Sequence, residues 1–101
     1  MKVTGFKSNY LVMYDITSNK FRRNIEKCLR NFGIRIQYSV FLCNLHPEQF
    51  TQMESYLADV IHRNSDYISQ FDSIYTVNNI KPNHLEAILG TPCEPGRIMI
   101  I

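Results

Sequence analysis

A single aspartate closes the first long apolar run of the chain. Asp15 stands near the end of Tyr10–Ile16, a run typical of a strand buried on both faces. An aspartate at a strand end can hold Mg²⁺ or Mn²⁺ against a phosphate and support phosphodiester cleavage. The same carboxylate can instead cap the following turn at residues 17–19. Both roles stay open, and because one carboxylate makes a poor metal site, catalysis requires a second Asp15 across a two-fold axis.

Basic residues concentrate in the first third of the chain. Residues 1–35 carry eight Lys and Arg against two Asp and Glu, a net charge of +6, whereas residues 36–101 carry three against seven, a net charge of −4. Because arginine binds phosphate bidentately and lysine supplies a point charge, this asymmetry predicts a polyanionic partner. The candidates for nucleic-acid binding are Arg22, Arg23, Lys27, Arg30 and Arg35. The alternative is a solvated helix face with an ordinary Glu26–Arg30 pair.

Other kinds of site find little support in the sequence. The three histidines and three cysteines lack metal-ligand spacing, and no phosphate-binding glycine loop or nucleophile elbow occurs. Three unspaced cysteines are typical of reduced thiols. No secretion signal is evident, and no apolar run approaches the roughly 20 residues of a membrane span. We therefore expect a cytoplasmic protein without a membrane partner.

Alternating strand and helix patterns must position these residues. Apolar residues recur at helical spacing from Lys20 to Phe32, and Gly33 is a natural residue to end that helix. Residues 34–43 predict two short strands with a kink near residues 37–39. Residues 47–63 predict a second amphipathic helix with Pro47 in its first turn, and residues 73–77 predict a strand.

The order β-α-β-β-α-β predicts an α+β fold of the ferredoxin-like type, with a four-stranded antiparallel sheet and both helices on one face. We assign residues 1–78 to this domain and residues 79–101 to a C-terminal extension. The extension is predicted to hold a short helix and a strand that pairs with the dimer partner or another protein. Tyr14, Tyr38 and Phe41 are expected in the core or the dimer interface rather than as base-stacking platforms.

Two segments together resemble the CRISPR-associated protein two family. They are YLVMYDIT at residues 10–17, followed by Arg22, and GIRIQYSVF at residues 33–41, and the resemblance covers about residues 9–77. The family's strand-end aspartate falls on Asp15, its two arginines fall on Arg22 and Arg35, and its phenylalanine falls on Phe41. Asn24 departs from the arginine that some relatives carry, and the neighbouring Arg23 could compensate.

The resemblance implies a ferredoxin-like homodimer that acts in CRISPR adaptation, the acquisition of new spacers. Such a dimer binds duplex DNA and bridges two dimers of the CRISPR integrase. Many members of the family are described as metal-dependent endonucleases that act on single-stranded RNA or duplex DNA. Two alternatives remain: a non-catalytic scaffold, and a free-standing toxin-like ribonuclease on the same fold.

Overall fold

The computed structural model describes residues 6–80. In chain order its elements are β1 (Ser8–Asp15), α1 (Asn19–Leu29), β2 (Ile34–Gln37), β3 (Val40–Leu45), α2 (Pro47–Arg63), a short 3₁₀ turn (Ser65–Tyr67) and β4 (Ser73–Ile80). The strands form one antiparallel sheet in the order β2-β3-β1-β4. This arrangement confirms the predicted ferredoxin-like α+β fold.

The core lies between one face of the sheet and the two helices. Tyr10, Val12 and Tyr14 alternate along β1 toward this face, because successive strand residues point to opposite sides. Side chains from the other elements complete the core: Phe41, Cys43 and Leu45 of β3, Phe21, Ile25, Cys28 and Leu29 of α1, and Met53, Leu57 and Val60 of α2. Tyr10 stacks on Phe50 with ring centroids 4.2 Å apart.

The opposite face of the sheet carries a second apolar row. Strand register aligns Ile34 with Leu42, Leu42 with Leu11, and Leu11 with Val77. In the next row, Met13 pairs with Tyr75, which is 64% exposed. We call this surface the second sheet face. Its central residues Leu11 and Leu42 are already buried within one chain, at 8% and 2% exposed, although neither belongs to the core beneath the helices.

Helix α1 begins at a polar cap and ends earlier than predicted. The Ser18 hydroxyl accepts a hydrogen bond from the amide of Phe21 at 3.2 Å, which satisfies an otherwise unpaired N–H group. The helix ends at Leu29 rather than Phe32, because the amides of Asn31 and Phe32 bond three residues back and tighten the chain into a turn.

Gly33 lies beyond the end of α1. Close packing against β3, rather than termination of the helix, requires glycine at this position. A Cβ atom at this position would collide with the carbonyl oxygen of Leu42 and with Sγ and Cα of Cys43. Glycine therefore permits the close approach of the chain to β3, a requirement that the helix-ending interpretation did not include.

The remaining predictions concern the ends of the described region. Strand β4 runs to Ile80 and so crosses the boundary drawn after residue 78. The predicted short helix at residues 82–89 and the strand at residues 97–101 lie outside the described residues. Within residues 6–80, no helix combines the length and the apolar character needed to cross a membrane.

Candidate nucleic-acid interface and aspartate site

Asp15 is exposed at the carboxyl end of β1, opposite Ser73 of β4. Its side chain makes no hydrogen bond or ion pair with any residue between 6 and 80. The turn after β1 is held by Asp72 instead, whose Oδ1 accepts bonds from the amide and the hydroxyl of Thr17 at 2.9 and 3.0 Å. The turn-capping role considered for Asp15 thus belongs to Asp72, and the Asp15 carboxylate stays open to solvent.

One chain does not complete a metal site around Asp15. Across residues 6–80, no three His, Cys, Asp or Glu side chains come together as metal ligands. Asp15 offers a single carboxylate, whereas Mg²⁺ prefers octahedral coordination by oxygen atoms. The described residues of one chain therefore do not fit a resident Mg²⁺ or Mn²⁺ ion without further ligands.

Arg22 lies beside the end of β1. Its Nη1 donates to the carbonyl oxygen of Ile16 at 3.4 Å, and its Nη2 donates to the side chain of Asn19. Its guanidinium carbon is 5.9 Å from the ring centroid of Tyr38, within the range of a cation–π contact. The structure therefore brings Arg22 to Ile16, the residue that follows Asp15.

Arg35 takes part in a buried polar cluster with Tyr14 and Glu26. Nη2 of Arg35 lies 2.7 Å from Oε2 of Glu26, and the Tyr14 hydroxyl donates to the same oxygen at 2.8 Å. The Tyr14 hydroxyl also lies 3.3 Å from the carbonyl oxygen of Tyr38. The cluster joins β1, α1 and β2 to the turn before β3.

The environment of this cluster shifts the acidity of its members. Burial, followed by the hydrogen bond to Glu26, raises the pKa of Tyr14 to about 12. Burial alone would lower the pKa of Arg35, but its interactions with the nearby Tyr14 hydroxyl and with the charge of Glu26 outweigh burial, and the pKa is raised. At neutral pH the phenol is therefore protonated and Arg35 carries its full charge.

The other basic candidates share one exposed face that α1 forms together with its C-cap residue, Arg30. Arg23, Lys27 and Arg30 follow one another at intervals of four and three residues, and all three are exposed. Glu26 points inward to Arg35, so the Glu26–Arg30 surface pair considered from the sequence does not form. We call these three residues the basic face of α1.

The aromatic candidates divide between the core and the surface. Tyr14 and Phe41 are buried, as predicted, and their rings lie 6.4 Å apart. Tyr38 is 69% exposed at the β2–β3 turn, where both Arg22 and Arg35 lie within about 6 Å of its ring centroid. Its predicted place in a core does not hold within this chain, whereas an interface role stays a prediction.

The two cysteines in the described region are buried free thiols. Burial raises the pKa of Cys28, and it raises the pKa of Cys43 to about 12. Both thiols are therefore protonated at neutral pH and are poor nucleophiles and metal ligands.

Sequence reasoning missed Glu26 and Asp72 as members of the site. The available signal for Glu26 was its position between Ile25 and Leu29, at the edge of the apolar face of α1. No local pattern marked Asp72, because its partner Thr17 lies 55 residues away.

A ferredoxin-like sheet with a basic first helix, and an arginine beside the aspartate that ends β1, define a small α+β domain of the predicted class. The chain belongs to the family described as "CRISPR associated protein Cas2", whose model matches residues 8–86. Family membership confirms the resemblance in the two sequence segments.

Relatives and solved structures agree with this membership. The "CRISPR-associated endoribonuclease Cas2 2" of Thermodesulfovibrio yellowstonii is 33% identical over 81 residues, which is 80% of this chain and 81% of the relative. The "CRISPR-associated endoribonuclease Cas2 4" of Rhodospirillum rubrum is 33% identical over 69 residues, and the match spans 68% of this chain but only 56% of that relative. A chain of a "Partial Cas6-RT-Cas1–Cas2 complex" superposes with a TM-score of 0.70 at 27% identity, covering 86% of this chain and 96% of that chain.

Proposed function

We propose that this chain is a homodimeric subunit of CRISPR adaptation that binds duplex DNA and bridges dimers of the integrase. The observation that carries the proposal is the basic face of α1, where Arg23, Lys27 and Arg30 are all exposed and Arg22 lies at the start of the same helix. Cationic side chains in such a row bind successive phosphates and release counterions. The similar chain found in a complex that includes Cas1 supports an integrase partner.

The second sheet face supports the homodimer. Its apolar row continues across all four strands, and the exposed ring of Tyr75 extends it. Leu11 and Leu42 are already buried within one chain, so the surface left for a second copy is the exposed Tyr75 with the half-buried Met13 and Val77, and its burial would stabilise a two-fold dimer. Asp15 lies on the same side of β1 as Met13, because the two are two positions apart in one strand and side chains alternate between its faces. A dimer formed through this face would direct two Asp15 carboxylates toward one another.

Duplex binding and dimerisation can be tested on the purified chain. Light scattering gives the oligomeric state, and fluorescence anisotropy with a labelled duplex gives the affinity between about 50 and about 300 mM salt. We expect a dimer. The logarithm of its association constant for the duplex, plotted against the logarithm of the salt concentration, should have a slope of about −0.9 for each phosphate contacted. Co-purification with the cognate integrase tests the bridging role. A monomer without salt-dependent binding would contradict the proposal.

A second candidate function is metal-dependent endonuclease activity on single-stranded RNA or duplex DNA. Two observations favour it. The Asp15 carboxylate is exposed and does not cap the turn after β1, because Asp72 does so. Relatives of the chain also carry the name endoribonuclease. The cofactor would be Mg²⁺ or Mn²⁺, held jointly by Asp15 of two copies and by the substrate.

The nuclease candidate requires its own experiment. Wild type and Asp15→Asn are incubated with RNA and duplex DNA, each with Mg²⁺ and with EDTA. Cleavage by wild type with Mg²⁺ alone would support the nuclease. Cleavage that persists in EDTA or in Asp15→Asn points to a contaminant. Duplex binding without cleavage identifies the dimer as a non-catalytic scaffold.

A further inference from the structure

Glu26 is a buried acid on an otherwise basic helix. Its residue is only 8% exposed, and its Oε2 is shared by the hydroxyl of Tyr14 at 2.8 Å and Nη2 of Arg35 at 2.7 Å. A carboxylate is costly to bury unless a countercharge or hydrogen bonds compensate it. The geometry supplies both, from two different strands.

The same contact removes much of Arg35 from solvent. Nε and Nη2 of Arg35 are fully shielded, and neither makes a well-aligned hydrogen bond to any residue between 6 and 80, although Nη2 is at ion-pair distance from Glu26. Arginine binds phosphate strongly when two N–H groups reach it together. With two of its three nitrogens covered, Arg35 cannot present that edge to a nucleic acid.

The cluster also supports the turn that carries Tyr38. The guanidinium carbon of Arg35 lies 6.0 Å from the ring centroid of Tyr38 and 5.5 Å from that of Phe41. The Tyr14 hydroxyl, which donates to Glu26, also approaches the carbonyl oxygen of Tyr38. Arg22 contacts the same ring from the start of α1. The position of Arg22 is therefore tied to the buried Glu26–Arg35 pair through the ring of Tyr38.

We propose that Glu26 is a positioning residue that withdraws Arg35 from phosphate binding and uses it to hold the Tyr38 turn against Arg22. This inference rests on the proposed duplex binding and assigns Arg35 a different role from the one expected of it. Arg22 and the basic face of α1 then supply the phosphate contacts, and the charge of Arg35 is cancelled inside the domain.

Substitution Glu26→Gln separates this role from a purely structural one. Glutamine keeps an oxygen that can accept from Tyr14, but it removes the charge that compensates Arg35. We expect a steeper salt slope for duplex binding, by about one unit for each released arginine that reaches the DNA, and about threefold to tenfold tighter binding at low salt. Glu54→Gln makes the same change of charge on the exposed side of α2, and it should leave the slope unchanged.

The double variant Glu26→Gln/Arg35→Gln should show neither the steeper salt slope nor the tighter binding, because it has no guanidinium at position 35 that could reach the DNA. If Glu26→Gln does not fold, this double variant is compared with Arg35→Gln, in which Glu26 is left uncompensated. The proposal then expects the single variant to bind more weakly than the double variant, and equal binding would overturn it.

The outcomes distinguish this inference from the function on which it rests. Wild-type binding combined with an unchanged or shallower slope in folded Glu26→Gln overturns only the role of Glu26. Binding by Glu26→Gln but not by wild type supports that role and refutes wild-type duplex binding. Absence of binding by both proteins overturns both proposals.

Discussion

Oδ1 of Asp72 accepts two hydrogen bonds from Thr17, one from the amide and one from the hydroxyl, across 55 residues of sequence. Oδ2 of the same carboxylate accepts the amide of Ser69 at 2.8 Å. One side chain thus joins the turn that leaves β1 to the turn that enters β4. Asp72, and not Asp15, therefore connects the segment after β1 to the segment before β4.

The contacts of Asp72 predict a pH-dependent contribution to stability. The hydrogen bond from the Ser69 amide, followed by that from Thr17, lowers the pKa of Asp72 below its ordinary value of 3.8. Because the folded state holds the ionised form, the contribution is present above the ordinary pKa and is lost as the pH falls through the lowered one. Between about pH 6 and about pH 3, the Tm of Asp72→Asn should therefore fall less than that of wild type. Parallel curves would contradict the role of Asp72.

Arg22→Ala should weaken duplex binding. The substitution removes one cation next to the end of β1, so we expect the salt slope to become shallower by about one unit per contact, uniformly across DNA sequences. Anisotropy titrations at several salt concentrations measure the slope. Arg63→Ala is the matched control, because Arg63 is exposed on α2 and paired with Asp59 at 3.0 Å. Equal effects of the two substitutions would place Arg22 away from the DNA.

Tyr14→Phe should destabilise the fold by about 1–2 kcal/mol, because buried Glu26 loses a hydrogen-bond donor. The raised pKa of Tyr14 adds a signature at alkaline pH. The unfolded phenol ionises near pH 10.0 and the folded one at about 12, so wild-type stability falls across this interval. The variant should lack this part of the decline in thermal denaturation. Tyr56→Phe, at an exposed ring, is the control, and an equal decline in all three proteins would refute the assignment.

Gly33→Ala should cost about 1–3 kcal/mol, because the added methyl group meets the backbone of Leu42 and the side chain of Cys43. Chemical denaturation compares the free energy of unfolding with that of Asn31→Ala, in the same turn but exposed. A free energy for Gly33→Ala equal to that of wild type would show that β3 moves away at little cost.

Tyr75→Glu should weaken the dimer without unfolding the chain, because Tyr75 is exposed on the second sheet face. A charge buried in an apolar interface is strongly disfavoured, so we expect the dimer dissociation constant to rise at least about tenfold. Analytical ultracentrifugation measures the change. Phe71→Glu, at an exposed ring outside the strands, should leave the dimer unchanged. An intact Tyr75→Glu dimer would place the interface elsewhere.

The fold could be predicted from the sequence because its signals are local. The helix period of residues 47–63 reproduced α2 at both ends. The apolar run of residues 10–16, with Asp15 placed at the carboxyl end of the strand, marked β1, which begins two residues earlier, at Ser8, and ends at Asp15. The segment at residues 34–43 was correctly divided into two strands, with the turn at residues 38 and 39. Periodicity and turn chemistry are properties of neighbouring residues, so they can be recognised in the sequence without knowledge of the tertiary structure.

The site depended on contacts that only the tertiary structure could decide. Sequence alone determined which residue types were available, including Asp15, Arg22 and Arg35, and the motif that joins them. It could not show that Glu26 turns away from Arg30 toward Arg35, or that Asp72 displaces Asp15 from the turn. Both outcomes depend on how α1 packs on the sheet and where β4 begins. The partner of a charged side chain is set by burial and distance in the folded chain, and spacing along the sequence does not encode either.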